Sequence, residues 1–381
     1  MLRVTILSVS LLTVFASAAI APAMAEIAAA FPDIPPTQIK SLLTAPALTM
    51  MLVSPLAGWL SRRLGSRRLL VAGLCFYVFG GLGGGLAGSF HVLFLMRLLL
   101  GVGIGILMPM SSALVAEFFE GRERLRMMGL SSSVTSFFGV CANVLVGYLT
   151  LYSWRYGFGV YAVGLGVLAL VMMHLPKTQA SARTVAVSTR LPLQVYWWAL
   201  AVFLQLLAIY AVPVNIALFM TENRIGSSRE IGIAVSCLTA ASFVTGFLGV
   251  RVRGLLGRYF VFATLALGAL GYYLLAAAGS LAMTLFALLA IGVGNGFLMP
   301  YLFFCATTTV SASRVMGAMG MVAMAASFGQ FATPLLLDGI ARALGDTSTR
   351  FVFLFMSHAI AVAAVGALAW LQVERLRKIG R

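Results

Sequence analysis

The sequence contains little charge, since Asp, Glu, Lys and Arg make up only 9% of its 381 residues. A soluble domain carries roughly 25% charged residues, so this shortage excludes an ordinary soluble protein. Acidic residues are scarcest, with 10 Asp and Glu against 26 Lys and Arg. The basic residues are spread over separate loops and form no single patch, so we expect no nucleic-acid partner.

Cysteine is rare as well, and its positions exclude two kinds of site. The four cysteines lie inside apolar stretches, with neither a disulfide framework nor a metal-ligand spacing: Cys75, Cys141, Cys237 and Cys305. The sequence also lacks the strand-length alternation of a membrane β-barrel. It shows no nucleophile–base pair, metal cluster or phosphate-binding loop, so we predict no enzyme, no metal site and no cofactor.

Apolar residues dominate what is present, at 61% of the chain. Apolar stretches of 18 residues or more recur along it, and each can cross a hydrocarbon core about 30 Å thick as a helix. The first stretch resembles a cleavable secretory signal, but eleven more follow, so we predict that it is retained. We therefore predict an all-α integral membrane protein with twelve spans: 4–30, 38–60, 69–88, 92–116, 127–150, 156–175, 194–220, 231–250, 259–278, 281–305, 317–340 and 351–372.

A nine-residue segment occurs twice. Gly101–Pro109 reads GVGIGILMP and Gly292–Pro300 reads GVGNGFLMP, so seven of nine positions match at an offset of 191 residues. Pro22 and Pro213 match at the same offset. We infer two pseudo-symmetric six-helix bundles, one in residues 1–175 and one in residues 193–381, joined by a linker at residues 176–192.

The positions of Lys and Arg predict the orientation in the membrane, because cytoplasmic loops carry an excess of them. With both termini in the cytoplasm, 19 of the 26 basic residues fall on the inner side. Six fall on the outer side, Lys40 among them, and Arg97 lies within the fourth span. We expect a multi-pass protein of the cell inner membrane.

Several motifs resemble those of the major facilitator superfamily of secondary transporters. Between spans two and three, Gly58–Arg68 resembles the family's Gly-x-Leu-Ala-Asp-Arg-x-Gly-Arg-Lys, with Arg62 at the aspartate position. Arg97, Gly101 and Gly103 match Arg-x-x-x-Gly-x-Gly of the fourth span. The chain resembles the drug–proton antiporter branch in Trp154–Phe158, and Ala142–Gly147 keeps one glycine of that branch's fifth-span motif.

Two groups of residues are candidates for helix packing or gating. Small residues three or four apart let helices approach closely in lipid, and a proline bends a helix where it lines a cavity. The basic loop anchors the topology first, and the resemblance implies a gate there. The candidates are Gly58, Arg62, Arg63, Gly65, Arg67, Gly101, Gly103, Gly105, Pro109, Gly292, Gly294, Gly296 and Pro300.

Polar side chains inside the spans are candidates for the substrate and proton pathway, because burying them in hydrocarbon is costly. The resemblance implies that spans one, four, seven and ten line a central cavity, to which spans five and eleven add. The candidates are Glu26, Arg97, Asn143, Gln205, Tyr210, Asn215, Asn295, Tyr301 and Gln330.

Glu26 and Arg97 support the sharpest hypothesis. Glu26 is the only carboxylate within the first span and is a candidate proton carrier, although it also fits an outer-mouth residue. Arg97 has Leu288 as its counterpart in the second half. We expect Arg97 to face the cavity and to pair with Glu26 or with an anionic substrate, unless it only reaches toward the outer interface.

The leading functional hypothesis is a secondary transporter that works by alternating access and exports small amphipathic organic compounds against proton entry. One alternative is uptake or facilitated transport of a small anionic metabolite, with Arg97 as counter-ion. Another is a membrane receptor or assembly protein that transports nothing. The expected partners are a small-molecule substrate, protons and the lipid bilayer, and we expect a monomer.

Overall fold

A computed structural model describes residues 2–12, 15, 19–175, 191–310 and 314–379, which are helices joined by short connections. Most of the linker predicted at 176–192 lies outside these residues. The α-helices are α1 (Leu2–Leu11), α2 (Met24–Ala30), α3 (Pro36–Leu64), α4 (Ser66–Gly85), α5 (Phe90–Phe118), α6 (Gly121–Thr150), α7 (Trp154–Gly157), α8 (Val163–His174), α9 (Leu193–Glu222), α10 (Ser228–Leu256), α11 (Phe260–Ala276), α12 (Leu281–Thr308), α13 (Val315–Ala343) and α14 (Thr349–Ile379).

The twelve predicted spans correspond to these helices. In the described part of the chain, ten helices are long and apolar enough to cross a membrane. The fifth span is α6, whose shorter apolar part runs from Val134 to Thr150. The first span differs from the prediction of one helix over 4–30, because turns at residues 19–23 separate α1 from α2. Pro22 lies in this segment and lacks the backbone N–H that a helix interior requires.

The connections define two faces of the molecule. On one face, hydrogen bonds join neighbouring connections. Arg155 Nη1 donates to the carbonyls of Gly85 (3.0 Å) and Ala87 (2.7 Å), and Thr349 Oγ1 donates to Glu222 (2.8 Å). We call this side, where α2 ends and α3 begins, the distal face. The opposite side, where Arg3 pairs with Glu123, is the terminal face.

The repeated glycines make equivalent contacts in the two halves of the chain. A Cβ placed on Gly101 or Gly105 would meet α3, and one on Gly103 would meet α4. In the second half, Gly292 and Gly296 face α10, and Gly294 faces α11. The nearest atoms lie 2.1 to 3.1 Å from these hypothetical Cβ atoms, so the helices come close together at these glycines.

The prolines of the repeat lie inside α5 and α12. Proline has no N–H, so the carbonyl four residues earlier loses its helical donor. Those carbonyls belong to Gly105 and Gly296, the glycines at which neighbouring helices come close. Serine counterparts also start the two helices, since Ser89 accepts from Val92 N and Ser280 from Met283 N, both at 3.4 Å.

Two pairs of helices form the main contact between the first half (residues 2–175) and the second half (191–379): α3 packs on α13, and α6 on α10. The hydrogen bonds described between the halves all lie toward the distal face. Ser236 Oγ donates to the carbonyl of Val140 (3.0 Å), and Thr44 Oγ1 to that of Phe331 (3.5 Å). In this structure the halves are therefore joined on their distal side.

Candidate functional site

Glu26 lies where α2 meets the second half. Its Oε1 accepts a hydrogen bond from the Ser228 hydroxyl at the start of α10. Its Oε2 is buried and has no hydrogen-bond partner among the described residues. The only carboxylate of the first predicted span thus contacts the other half of the chain at the distal side, as the outer-mouth interpretation also required.

Arg97 lies on α5 and is fully buried inside the first half, where it contacts α3 and the 3-10 helix Phe158–Ala162. Its Nε donates to the carbonyl of Leu42 (3.0 Å) and its Nη1 donates to the hydroxyl of Tyr161 (2.7 Å). Tyr161 also packs edge-on against Tyr77, with ring centroids 5.5 Å apart. Arg97 and Glu26 therefore bind different partners, and the geometry does not support the expected pairing between them.

A proline explains why a buried arginine is needed at this place. Pro46 lies inside α3 and removes the helical donor for the carbonyl four residues earlier, which is that of Leu42. Arg97 Nε donates to this carbonyl. A buried carbonyl without a donor costs roughly 1–3 kcal/mol, so the arginine compensates for the proline across two helices.

The second half lacks all three members of this arrangement. At the offset of 191, Pro46, Arg97 and Tyr161 correspond to Cys237, Leu288 and Val352. Without a proline, the helix keeps its own donors and no arginine is required. Arg97 therefore serves the fold of the first half even though the second half lacks it.

Two pairs of predicted pathway residues meet inside the second half. Gln205 Nε2 donates to Asn295 Oδ1 (3.0 Å), and Asn295 Nδ2 donates to Ser242 Oγ (3.4 Å). Gln205 and Asn295 line a cavity of about 30 Å³ between α9, α11, α12 and α14, which has room for about one water molecule. Tyr210 hydrogen-bonds to Gln330, joining α9 to α13.

Asn143, Asn215 and Tyr301 each have surroundings of their own in the structure. Asn143 is buried where α6 meets α10. Asn215 is fully buried in α9, where its Nδ2 donates to the carbonyl of Ala211 (2.9 Å) and its Oδ1 has no partner among the described residues. The Arg253 guanidinium lies over the ring of Tyr301, with its Cζ 4.9 Å from the Tyr301 ring centroid. Among the nine candidates, the described contacts join two pairs, Gln205 with Asn295 and Tyr210 with Gln330.

The basic loop between α3 and α4 has a defined turn. Gly65 ends α3 with φ of 81°, a left-handed conformation that favours glycine. Arg67 Nη2 donates to the carbonyl of Met172, and Arg63 stacks 4.2 Å from the Trp59 ring centroid. Gly58 has open space beside it, so no close contact requires a glycine there. The side chain of Arg62 lies outside the described part of the structure.

A wide cavity opens on the terminal face. Its volume is about 420 Å³, and its wall includes the starts of α1 and α6. The lining residues are Arg3, Arg122, Glu123, Met127 and Leu130. All five lining residues belong to the first half of the chain.

The sequence pattern of the Major Facilitator Superfamily matches residues 6–198, half of the chain. The chain belongs to this superfamily. With ten apolar helices long enough to cross a membrane among its described residues, it is a multi-pass membrane protein of a transporter superfamily, as the motifs predicted.

Curated relatives are similar over part of their length. The chain is 25% identical to the quinolone resistance protein NorA of Staphylococcus aureus over 204 residues, which are 51% of this chain and 52% of NorA. It is 28% identical to the multidrug transporter protein MdtP of Bacillus subtilis over 133 residues, 35% of this chain and 24% of MdtP. The chain thus spans about half or less of these relatives. Their names fit the antiporter-like branch suggested by Trp154–Phe158.

Solved structures confirm the fold over nearly the whole chain. A bacterial homologue of the human lysosomal transporter Spinster, inward-facing and unoccupied, aligns with a TM-score of 0.74 at 16% identity, covering 97% of this chain and 94% of that chain. A D-xylose–proton symporter aligns with a TM-score of 0.71 at 14% identity, covering 96% of each chain. The twelve-helix prediction is confirmed.

Sequence reasoning missed several residues that join helices. Lys40, Thr37 and Asp338 contact one another at the distal side. Ser228 and Tyr161 are the partners of Glu26 and Arg97. The one available signal was Pro46, because a proline inside a helix predicts a carbonyl that needs an outside donor.

Proposed function

We propose that this transporter exports small amphipathic organic compounds in exchange for protons, by alternating access around a site between its two halves. The two halves are the six-helix bundles of residues 1–175 and 193–381. The observation that carries the proposal is the position of Glu26, whose carboxyl group belongs to the first half and contacts Ser228 of the second.

The contact links the protonation of Glu26 to the closure of the distal side. A charged carboxylate oxygen buried without a hydrogen bond is costly, and protonation removes most of that cost. Glu26 Oε2 is buried in this way in the structure. Closure around a protonated Glu26, followed by release of the proton on the terminal side, moves protons in the direction that an exporter requires.

The printed functions of relatives support organic compounds as substrates. NorA is named for quinolone resistance and MdtP for multidrug transport. The alternative of an anionic metabolite required Arg97 as a counter-ion in the cavity. Arg97 is fully buried and donates to Leu42 and Tyr161, so the structure favours export of organic compounds over this alternative.

The orientation proposed with this function places the distal face outside the cell inner membrane. The terminal face then holds both termini and most of the Lys and Arg residues, in line with the positive-inside rule. The wide cavity beside Arg3, which first-half residues line, lies on this cytoplasmic face. We propose that the protein acts as a monomer.

The Glu26→Gln variant tests the coupling. Glutamine keeps the shape of the side chain but carries no titratable proton. In proteoliposomes, we expect proton-driven accumulation of a cationic amphipathic dye to fall to the level of empty vesicles. Exchange of dye against preloaded dye, without a pH gradient, should continue.

Glu222→Gln is the matched control, because Glu222 is an exposed carboxylate on the same distal face that accepts a hydrogen bond from Thr349. This variant should accumulate dye normally. Normal proton-driven accumulation by Glu26→Gln would remove Glu26 from the coupling mechanism.

A further inference from the structure

A buried ion pair joins the two halves where α3 meets α13. Lys40 Nζ lies 2.7 Å from Asp338 Oδ1, and Thr37 Oγ1 donates to Asp338 Oδ2 at 2.8 Å. Lys40 is 4% exposed and Asp338 is 8% exposed. Each carboxylate oxygen thus has a donor from α3, in a pair shielded from solvent.

The pseudo-symmetric contact, where α6 meets α10, is built differently. At the offset of 191, Asp338 corresponds to Gly147, and Thr37 and Lys40 correspond to Ser228 and Ile231. A Cβ placed on Gly147 would lie 2.7 Å from the Ser228 carbonyl oxygen and 3.2 Å from Gly232 Cα. The same positions therefore meet in both contacts, through a charge pair in one and through close backbone packing in the other.

These two contacts respond differently to opening. A glycine contact between backbones requires shape alone. The ion pair depends on both charges, and water that enters as the distal side opens solvates them, so separating the pair costs less than it would in a dry interior. Losing one partner has a large effect, because the closed state then contains an unpaired buried charge.

We propose that Lys40 and Asp338 form an electrostatic latch that holds the distal side closed, with Thr37 positioning the carboxylate. The latch rests on the alternating access proposed above and identifies which residues control one of its two states. When the distal side opens, the latch breaks and exposes both charges to the outer solution. When that side closes, the pair forms again, and Gly147 packs on α10 in the other contact between the halves.

Distances between spin labels test the latch without any transport. The labels are attached to cysteines at Gln38 on α3 and Ala343 on α13, both exposed. The background is the full chain with its four free cysteines replaced and its transport retained. In a separate experiment, the same two cysteines without spin labels are treated with a membrane-impermeant maleimide on intact cells. Their reaction checks that the distal face lies outside.

In lipid nanodiscs, we expect Lys40→Met and Asp338→Asn each to raise the ratio of long to short distances by about tenfold or more. The exchanged pair, Lys40→Asp with Asp338→Lys, restores opposite charges and should restore the short distance. It also separates the latch from a simple folding defect. Arg342→Met, which removes an exposed charge from the end of the same helix, should leave the distances unchanged.

Unchanged distances in both single variants would overturn the latch. An exchanged pair with the same high ratio of long to short distances as the single variants would overturn it too. A loss of proton coupling in Glu26→Gln does not bear on this result, because the measurement reports the distal opening alone. The proposed function and the latch can therefore fail separately.

Discussion

Replacing Gly296 by leucine should lower transport about tenfold or more while leaving the protein inserted in the membrane. A Cβ at this position would lie 2.1 Å from Thr245 Oγ1 and 2.3 Å from the carbonyl oxygen of Ser242. The threonine side chain can turn away, but the carbonyl belongs to the backbone of α10. The two helices must therefore separate, and such overpacking typically costs about 1–3 kcal/mol.

The measurement is dye transport per amount of inserted protein, where we expect a loss of about tenfold or more, since roughly 1.4 kcal/mol corresponds to tenfold. Gly366→Leu is the matched control, because Gly366 is exposed in α14 and has open space beside it. Gly105→Ala should be milder than Gly296→Ala, since the nearest atoms to a Cβ at Gly105 are 3.1 Å away. Full transport by Gly296→Leu would mean that the close contact with α10 is unnecessary for the transport cycle.

Replacing Arg97 by leucine should lower both stability and transport. The substitution copies Leu288 at the equivalent position, but it leaves the Leu42 carbonyl and the Tyr161 hydroxyl without their donor. A buried carbonyl left unpaired costs about 1–3 kcal/mol. Arg97→Lys keeps the charge but loses the planar fork that reaches both acceptors, so we expect an intermediate effect.

The decisive variant adds Pro46→Ala to Arg97→Leu. Alanine supplies the backbone N–H that Pro46 lacks, so the Leu42 carbonyl regains a helical donor. We expect this double variant to melt at a higher temperature than Arg97→Leu alone, a coupling that a double-mutant cycle measures. If Pro46→Ala gives no recovery, the arginine does not act through this carbonyl.

The helices and the packing of the repeat could be predicted from sequence because both depend on local chemistry. The length of the apolar stretches predicted the membrane spans, and glycines four residues apart predicted close contacts, which α5 makes with α3 and α12 makes with α10. The first span was the exception, since the turns around Pro22 divide it. A proline near the end of an apolar run predicts a break less clearly than one in its middle.

The pairing of polar groups could not be predicted in the same way. Lys40 follows Pro36 at the start of an apolar stretch, which is typical of an exposed residue in a connection. Its partner Asp338 lies 298 residues away, and no local pattern indicates that they meet. Only the packing of α3 on α13 brings them together and buries them.

The absence of Arg97 from the second half has two explanations. Its absence from the second half favoured a role in the cavity, because a structural residue was expected in both halves. The structure explains the difference through Pro46, whose counterpart is Cys237. Pro46 on α3 and Arg97 on α5 are present together in the first half, and both are absent from the second half.

The most direct test of proton-coupled export is the internal pH of proteoliposomes that contain a trapped pH-sensitive dye. No pH gradient is imposed, the membrane potential is clamped, and a permanently charged amphipathic compound is added outside. Exchange predicts that each compound molecule carried inward is accompanied by protons moving outward, so the lumen becomes more alkaline. Compound entry through the protein with unchanged lumenal pH, or with acidification, would contradict proton antiport.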